Sequence, residues 1–364
     1  MRLATRLTEL VGVEYPIVQT GMGWVASAQL TAATAAAGGL GILGSATMSL
    51  DELRTSLSEI RSRTDRPFGV NFRSDNPEVE RVIDLMIEER VRVASFGRAP
   101  RPDLIRRLKD AGILCIPTVG ALRHAQKVVD LGVDAVIIQG AEGGGHTGVV
   151  PTSLLLPQVV DKVPVPVIAA GGYFDGRGLV SALAYGAAGI AMGTRFLLTK
   201  ESPVHHSIKE FYLTQSVTDT VVTRAVDGAP QRVLRTQTID RLERTAAPAR
   251  LARAGLNALR FRRLTGNSVR SLLREGWAMK RSQELTWAQM LMAPNAPMLT
   301  RAALIEGRIE SGVMPVGQVV GMIDDLPSVA DLIDRLMDEA GAALDRLDSV
   351  RDRAPDSTSP RRRG

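Results

Sequence analysis

Cysteine is almost absent from this chain: its 364 residues include one, Cys115. An intramolecular disulfide is thereby excluded, and a reducing, cytoplasmic setting is expected. The thiol lies in the apolar run ILCIPTV and reads as a small buried hydrophobe. Histidine is nearly as scarce, at four residues, and none has the spacing of a metal site, so no metal is expected. No run of 18 apolar residues occurs, which argues against a membrane-spanning helix. The opening MRLATRLTELVGVEYPIV lacks an unbroken apolar core and a small-residue cleavage site, so no export signal is expected. The G-x-x-x-x-G-K-[ST] loop of P-loop nucleotide sites is missing too.

Acidic residues are missing from one region. The net charge is +6, and from Arg224 to Arg274 twelve arginines face three acids, Asp227, Asp240 and Glu243. Such a segment suits nucleic acid, an acidic protein or a phosphorylated substrate, and a solvated helical face accounts for it as well. Aromatics are only 4%, which leaves few groups to stack on bases, so nucleic-acid binding is not expected. Salt-sensitive binding to random DNA by a flavin-free protein would be the mark of that rival.

Hydrophobic residues make up 45% of the chain, enough for a sizeable core in one large domain or two moderate ones. The first 200 residues repeat a short apolar run followed by a helix-compatible stretch. The runs are YPIVQ (15–19), LGILG (40–44), FGVNF (68–72), VRVASF (91–96), ILCIPTV (113–119), AVIIQG (135–140), PVIAAGG (166–172) and GIAMGTRF (189–196). They are continuously apolar, as in parallel strands covered on both faces. The fold class expected is α/β: a TIM (β/α)8 barrel with a mostly helical C-terminal lid or second domain. The barrel spans 1–200, and 201–310 is a helical, Arg-rich lid or substrate region. A segment returning to the barrel and a terminal helix occupy 311–348, and 349–364 is a disordered basic tail.

Barrel enzymes place their chemistry at the C-terminal strand ends. Those ends carry QTGMG, NFRSD, QGAEGGGH, GGYFDG and GTR here. The literal G-x-G-x-x-G at 39–44 enters a strand and does not come after one, so it is not a dinucleotide fingerprint. Gly171 and Gly172, with Gly193 and Thr194, end the last two strands, where amides can hold a phosphate. Gln139 offers a donor and an acceptor to the edge of a polar ring, and Asn71 does the same unless it only caps a turn. His146, at the end of a glycine-rich loop, is placed to exchange a proton with a substrate. With few other reactive side chains at strand ends, a cofactor is expected to carry the chemistry, and FMN combines a phosphate with a flat polar ring.

At YPIVQTGMGWVA, AGGLGILG, RPFGVNF, GAEGGGHTG, PVIAAGG, GTRFLLTKES and SGVMPVGQVVG the chain resembles the nitronate monooxygenase superfamily of FMN barrels. These motifs appear in the family's order over roughly 8–210 and 300–340. The resemblance implies Gly21 and Met22 against the flavin, Asn71 and Gln139 at its polar edges, and Gly144 beside the ring. It implies Gly171, Gly172, Met192, Gly193 and Thr194 around the phosphate, with Gln318 approaching from the late segment. His146 matches the family's active-site histidine. The run TKESPVHHSIKEFYL and the ending VMPVGQVVGMI look more like the branch that reduces acyl thioesters, and within it like flavin reductases of steroid-ring catabolism. The function implied is that of an FMN-dependent oxidoreductase passing electrons from NAD(P)H to a CoA-linked substrate, with a homodimer allowed. A nitronate monooxygenase, which oxidises alkyl nitronates with oxygen, is the alternative.

Overall fold

The computed structural model describes residues 1–97, 101–244 and 295–352. Most of the arginine-rich segment and the basic tail from 353 lie outside the described residues. The parallel strands are β1 (Ile17–Gln19), β2 (Leu40–Gly44), β3 (Phe68–Asn71), β4 (Val93–Ser95), β5 (Leu114–Cys115), β6 (Thr118–Val119) and β7 (Val136–Gln139). After β8 (Gly145–His146), which joins a separate sheet, come β9 (Val167–Ala170) and β10 (Gly189–Met192). Their order is β5-β4-β3-β2-β1-β10-β9-β7-β6.

Both apparent edges, β5 and β6, belong to one run, interrupted where Pro117 has no N–H for the ladder. Alternate residues of that run bond to opposite neighbours. Leu114 and Ile116 donate N–H to Arg92 O (3.0 Å) and Ala94 O (2.9 Å), while Cys115 O and Pro117 O accept from Asp134 N (3.0 Å) and Ile137 N (2.8 Å). The ring is closed, and the eight apolar runs read from the sequence are its eight staves. Cys115 is fully buried as expected, and burial, aided by the Asp134 carboxylate, pushes its thiol up to about 12.

One end of the barrel is plugged. Helix α1 (Arg6–Val11) sends Leu7 and Val11 into the interior cluster with Val18, Leu40, Ile42 and Ile137. Thr5 Oγ1 donates to Ala188 O (2.6 Å) and the Arg92 guanidinium donates to Leu10 O (2.8 Å), both just before strand starts. A ligand must therefore enter at the other end, where the strands finish. Around the barrel run α2 (Ala28–Ala36), α3 (Leu50–Arg63), α4 (Val79–Glu88), α5 (Pro102–Asp110), α6 (Leu122–Asp130), α7 (Thr152–Val160) and α8 (Gly176–Ala184). Ser27, Ser49 and Asp175 cap their helices by accepting a backbone N–H of the first turn.

The eighth helix position is filled from far along the chain. After β10 there is only a single turn, α9 (Thr194–Leu197). Then come α10 (His206–Leu213), β11 (Thr220–Thr223), β12 (Gln231–Leu234), α11 (Gln237–Arg244), α12 (Asn295–Leu304) and α13 (Val329–Asp352). Helix α13 packs between α8 and α2, where a barrel's last helix belongs. A Cβ on Gly176 would sit 2.3 Å from Ala340 N and Leu336 O, so only glycine lets α8 and α13 approach this closely. The helix runs to Asp352, past the 348 expected from the sequence. A larger difference lies at 220–234: the stretch read as helical contains an antiparallel hairpin, β11–β12, which pairs with β8. Its strands, TVVT and QRVL, are short and mix polar with apolar residues, so no period-2 signal rises above the arginine-rich surroundings.

A partly buried ion pair ties the returning segment to α9, just after β10. Arg195 is buried and donates to Asp325 Oδ1 (2.9 Å), Asp325 O (2.8 Å) and Leu198 O (2.7 Å). Arg335 holds the same carboxylate at 2.6 Å. Burial pulls the Arg195 guanidinium below its ordinary value, and Arg335 and then Arg195 hold Asp325 below the usual carboxylate range. A lowered carboxylate stabilises the fold above its unfolded value and loses that contribution as pH falls through the folded value. Asp325→Ala should cost roughly 3 kcal/mol in urea unfolding at neutral pH, the lower end for a broken buried pair because this carboxylate is partly exposed. The gap from the parent should narrow as pH drops below the carboxylate range. A gap that stays constant with pH would show that the ion pair is not its cause.

Candidate active site

The glycine-rich run after β7 is a packed structure. Gln139 Nε2 donates to Gly144 O (3.2 Å) and His146 O (2.9 Å), curling the loop back over the strand that launches it. The loop's far end becomes β8, paired with β12 in the register Gln231 to His146 and Arg232 to Gly145. Arg232 adds two bonds to Ala141 O, from Nε (3.0 Å) and Nη2 (2.9 Å). A hairpin some 80 residues away in sequence thus holds the loop from outside.

Along the same edge of β12 lies the returning segment: Leu234 N donates to Met314 O (2.9 Å), and Val233 bridges Pro315. The segment then crosses the strand ends. Gly317 N donates to Thr194 Oγ1 (2.9 Å), and Gln318 N donates to Glu142 O (3.0 Å). A Cβ on Gly144 would lie 2.5 Å from Val316 C and 2.6 Å from Gly317 N. Gly144 therefore owes its identity to contact with the chain's own backbone. Glu142 is spent on α7, accepting from Thr152 N (3.0 Å) and Thr152 Oγ1 (2.8 Å).

His146 is exposed, with 60% of its side chain accessible, and its Nε2 lies 2.7 Å from Asp227 Oδ2, a carboxylate only 9% exposed. Asp227 sits between β11 and β12, and its Oδ1 accepts from Ala229 N (3.1 Å). In the sequence Asp227 is merely one of three acids in a basic segment. Its pairing with His146 depends on the hairpin, so nothing local in the sequence announces it.

The other expected residues occupy the same end of the barrel. Gly21 lies against Asn71, since a Cβ there would fall 2.2 Å from Asn71 Cβ. Asn71 Nδ2 reaches Ser95 Oγ at 3.4 Å. Met22 Sδ is 3.3 Å from where a Cβ of Gly193 would be, and Met192 O accepts from Thr20 N (3.2 Å), joining the ends of β1 and β10. Gly171 and Gly172 have φ of 98° and 85°, a region only glycine occupies freely. A Cβ on exposed Gly172 would meet nothing nearer than Glu142 Cβ at 3.8 Å, so its backbone faces open space. Helix α9 is too short for a strong dipole, and Asp175 already caps α8, so an anion here would depend on loop amides. Among the described residues no hydrogen bond links Asn71 to Gln139 or His146.

Among the buried side-chain atoms at this end with no partner among the described residues are two glutamine atoms: Gln19 Oε1, at the end of β1, and Gln231 Nε2, on the residue opposite His146. Unpaired buried amides are costly. Together with the open backbone at Gly172, they make a mouth whose groups fit a polar, phosphate-bearing ring. Sequence reasoning misses both glutamines: Gln19 closes an apolar run, and Gln231 lies in a hairpin with no clear strand signal.

A closed barrel with its mouth so equipped, and one exposed histidine backed by a carboxylate, is the build of a cofactor-using barrel enzyme. The nitronate monooxygenase family model matches residues 4–82 and 76–339. The chain therefore belongs to that family, and it is a flavin-dependent oxidoreductase. It is 54% identical over 349 residues to a Rhodococcus jostii protein, covering 96% of this chain and 99% of that one. It is 55% identical over 343 residues to a Mycobacterium tuberculosis protein, covering 93% and 97%. Both relatives are named (3aS,4S,5R,7aS)-5-hydroxy-7a-methyl-1-oxo-octahydro-1H-indene-4-carboxyl-CoA dehydrogenase. Among solved structures, FabK from Thermotoga maritima superposes with a TM-score of 0.78 at 37% identity, covering 96% of this chain and 99% of that one. No helix among the described residues is long and apolar enough to cross a membrane.

Proposed function

We propose that the chain binds FMN at the strand ends and exchanges reducing equivalents between NAD(P)H and a CoA-linked substrate derived from a steroid ring. The observation that carries this reading is the similarity, above half identity over nearly the whole chain, to two dehydrogenases of a bicyclic carboxyl-CoA. Bound FMN would supply the two-electron hydride exchange. Gly171, Gly172, Met192, Gly193 and Thr194 would hold its phosphate. Gly21, Met22, Asn71, Gln139, Gly144 and Gln318 would line its ring, with Gln139 Oε1 left to accept because Nε2 is engaged in the loop. His146 gives a proton to the substrate when it is reduced, or takes one from it when it is oxidised. Residues 201–310 supply the substrate region in this reading.

The test is a visible spectrum of the purified protein, then anaerobic addition of NADH, NADPH and the CoA thioester in turn. Bleaching of a flavin band by one nucleotide, and recovery on adding the acyl-CoA, is the expected result. A flavin unmoved by both nucleotides but reduced by an alkyl nitronate would move the chain to nitronate oxidation. A colourless protein that cannot be loaded with FMN would end both readings.

A further inference from the structure

The pairing of His146 with Asp227 fixes which ring nitrogen does the chemistry. We propose that Asp227 is a positioning residue that holds His146 as the tautomer protonated at Nε2, so that the proton exchanged with substrate is carried at Nδ1. This deepens the proposed function and rests on it, since it assumes that His146 is the proton carrier.

A carboxylate can only accept, so the ring nitrogen 2.7 Å from Asp227 Oδ2 must bear a hydrogen. Nδ1 is then left with its lone pair, and among the described residues nothing else bonds to the ring. The two partners differ in a telling way: the imidazole is exposed at the mouth and the carboxylate is buried behind it. An ordinary surface ion pair has both groups in water and little orientation. Here the carboxylate is fixed by its own second bond, from Ala229 N to Oδ1 at 3.1 Å. His146 and the hairpin whose connection carries Asp227 are joined in one small sheet, through the Gln231–His146 register and Thr147 N donating to Pro230 O (3.2 Å). The hairpin thus delivers the carboxylate and the histidine as one unit, which is what a fixed tautomer requires.

Asp227→Asn separates this role from the turn that the same side chain makes. The amide oxygen can still accept from Ala229 N, so the turn is kept. The amide nitrogen now donates to Nε2, which drives the ring proton to Nδ1 and removes the base from the substrate side. The measurement is long-range 15N–1H NMR of ring-labelled, FMN-loaded protein, with His146→Ala assigning the resonance, alongside turnover and flavin content. The parent should show Nε2 protonated and Nδ1 bare. D227N should show the inverted pattern and a fall in kcat of about 100-fold or more, with flavin content and KM near the parent's. A parent ring protonated at Nδ1 would overturn the proposal without any variant. So would a D227N protein that keeps the parent tautomer or turns over within about twofold of it. Full turnover in H146A would end the reading of His146 as proton carrier instead, so the two failures are distinguishable.

Discussion

His146→Ala is expected to lower turnover by about 10²- to 10⁴-fold, the range for losing a general acid–base group, while the protein keeps its flavin. The two halves of that expectation come from different atoms. The imidazole is exposed and makes one side-chain contact, to Asp227. What shapes the loop is the backbone of His146: its carbonyl accepts from Gln139 Nε2 at 2.9 Å, and its main chain pairs with Gln231. Alanine keeps both. Flavin content per protein, read from the absorbance ratio, should therefore match the parent while steady-state turnover collapses. Loss of flavin together with activity would assign the ring a structural role. The residue's scarcity strengthens the case, because the other three histidines have their partners on other elements. His205, just before α10, bonds Ser207 Oγ at 2.8 Å, His206 pairs with Glu210 within α10, and His124 lies on α6.

The barrel is legible in the sequence because its signal is local. Each stave is a continuous apolar run bounded by polar or glycine-rich turns, and burial on both faces leaves no other pattern for such a run to adopt. Even the run 113–119, which the structure divides at Pro117, reads as one stave, and ring closure shows why that is sound. The glycine-rich strand ends and His146 are legible for the same reason: composition marks them within a few residues. What stays hidden depends on long-range pairing. Asp227 reaches His146 only after the hairpin has paired with β8. Helix α13 takes the eighth barrel position because α9 ends after one turn, and the chain pattern alone does not show which helix fills the gap. The glycines are half legible. In the sequence they promise room for a ligand, whereas Gly21 and Gly144 mainly allow one protein segment to lie against another.

That distinction underlies the second large effect, expected from Gly144→Ala. The new Cβ would fall 2.5 Å from Val316 C, 2.6 Å from Gly317 N and 2.8 Å from Val316 Cα, all backbone atoms that no rotamer change can move aside. Relief requires one segment to shift, and both are anchored on either side of the contact. The loop is held by Gln139 and by β12. The returning segment is held by Leu234 N on Met314 O, Gly317 N on Thr194 Oγ1 and Gln318 N on Glu142 O. Overpacking of this kind costs about 1–3 kcal/mol. Because the strained segments carry Gln139 and Gln318 and bond Thr194, the loss should appear in FMN affinity as well as in melting temperature, by about tenfold for each 1.4 kcal/mol of strain that binding must relieve. Gly145→Ala is the control. Its φ is 69°, so a side chain is conformationally strained by about 1–2 kcal/mol, but a Cβ there meets nothing within 4 Å. Gly145→Ala should therefore melt earlier yet bind FMN nearly as the parent does, while Gly144→Ala suffers in both measurements. FMN titration by fluorescence quenching, run beside thermal unfolding, separates them. If Gly144→Ala loses stability and binds FMN normally, the 316–318 segment is a brace for the loop, and the flavin seat must be sought on the β1, β3 and β10 side of the mouth.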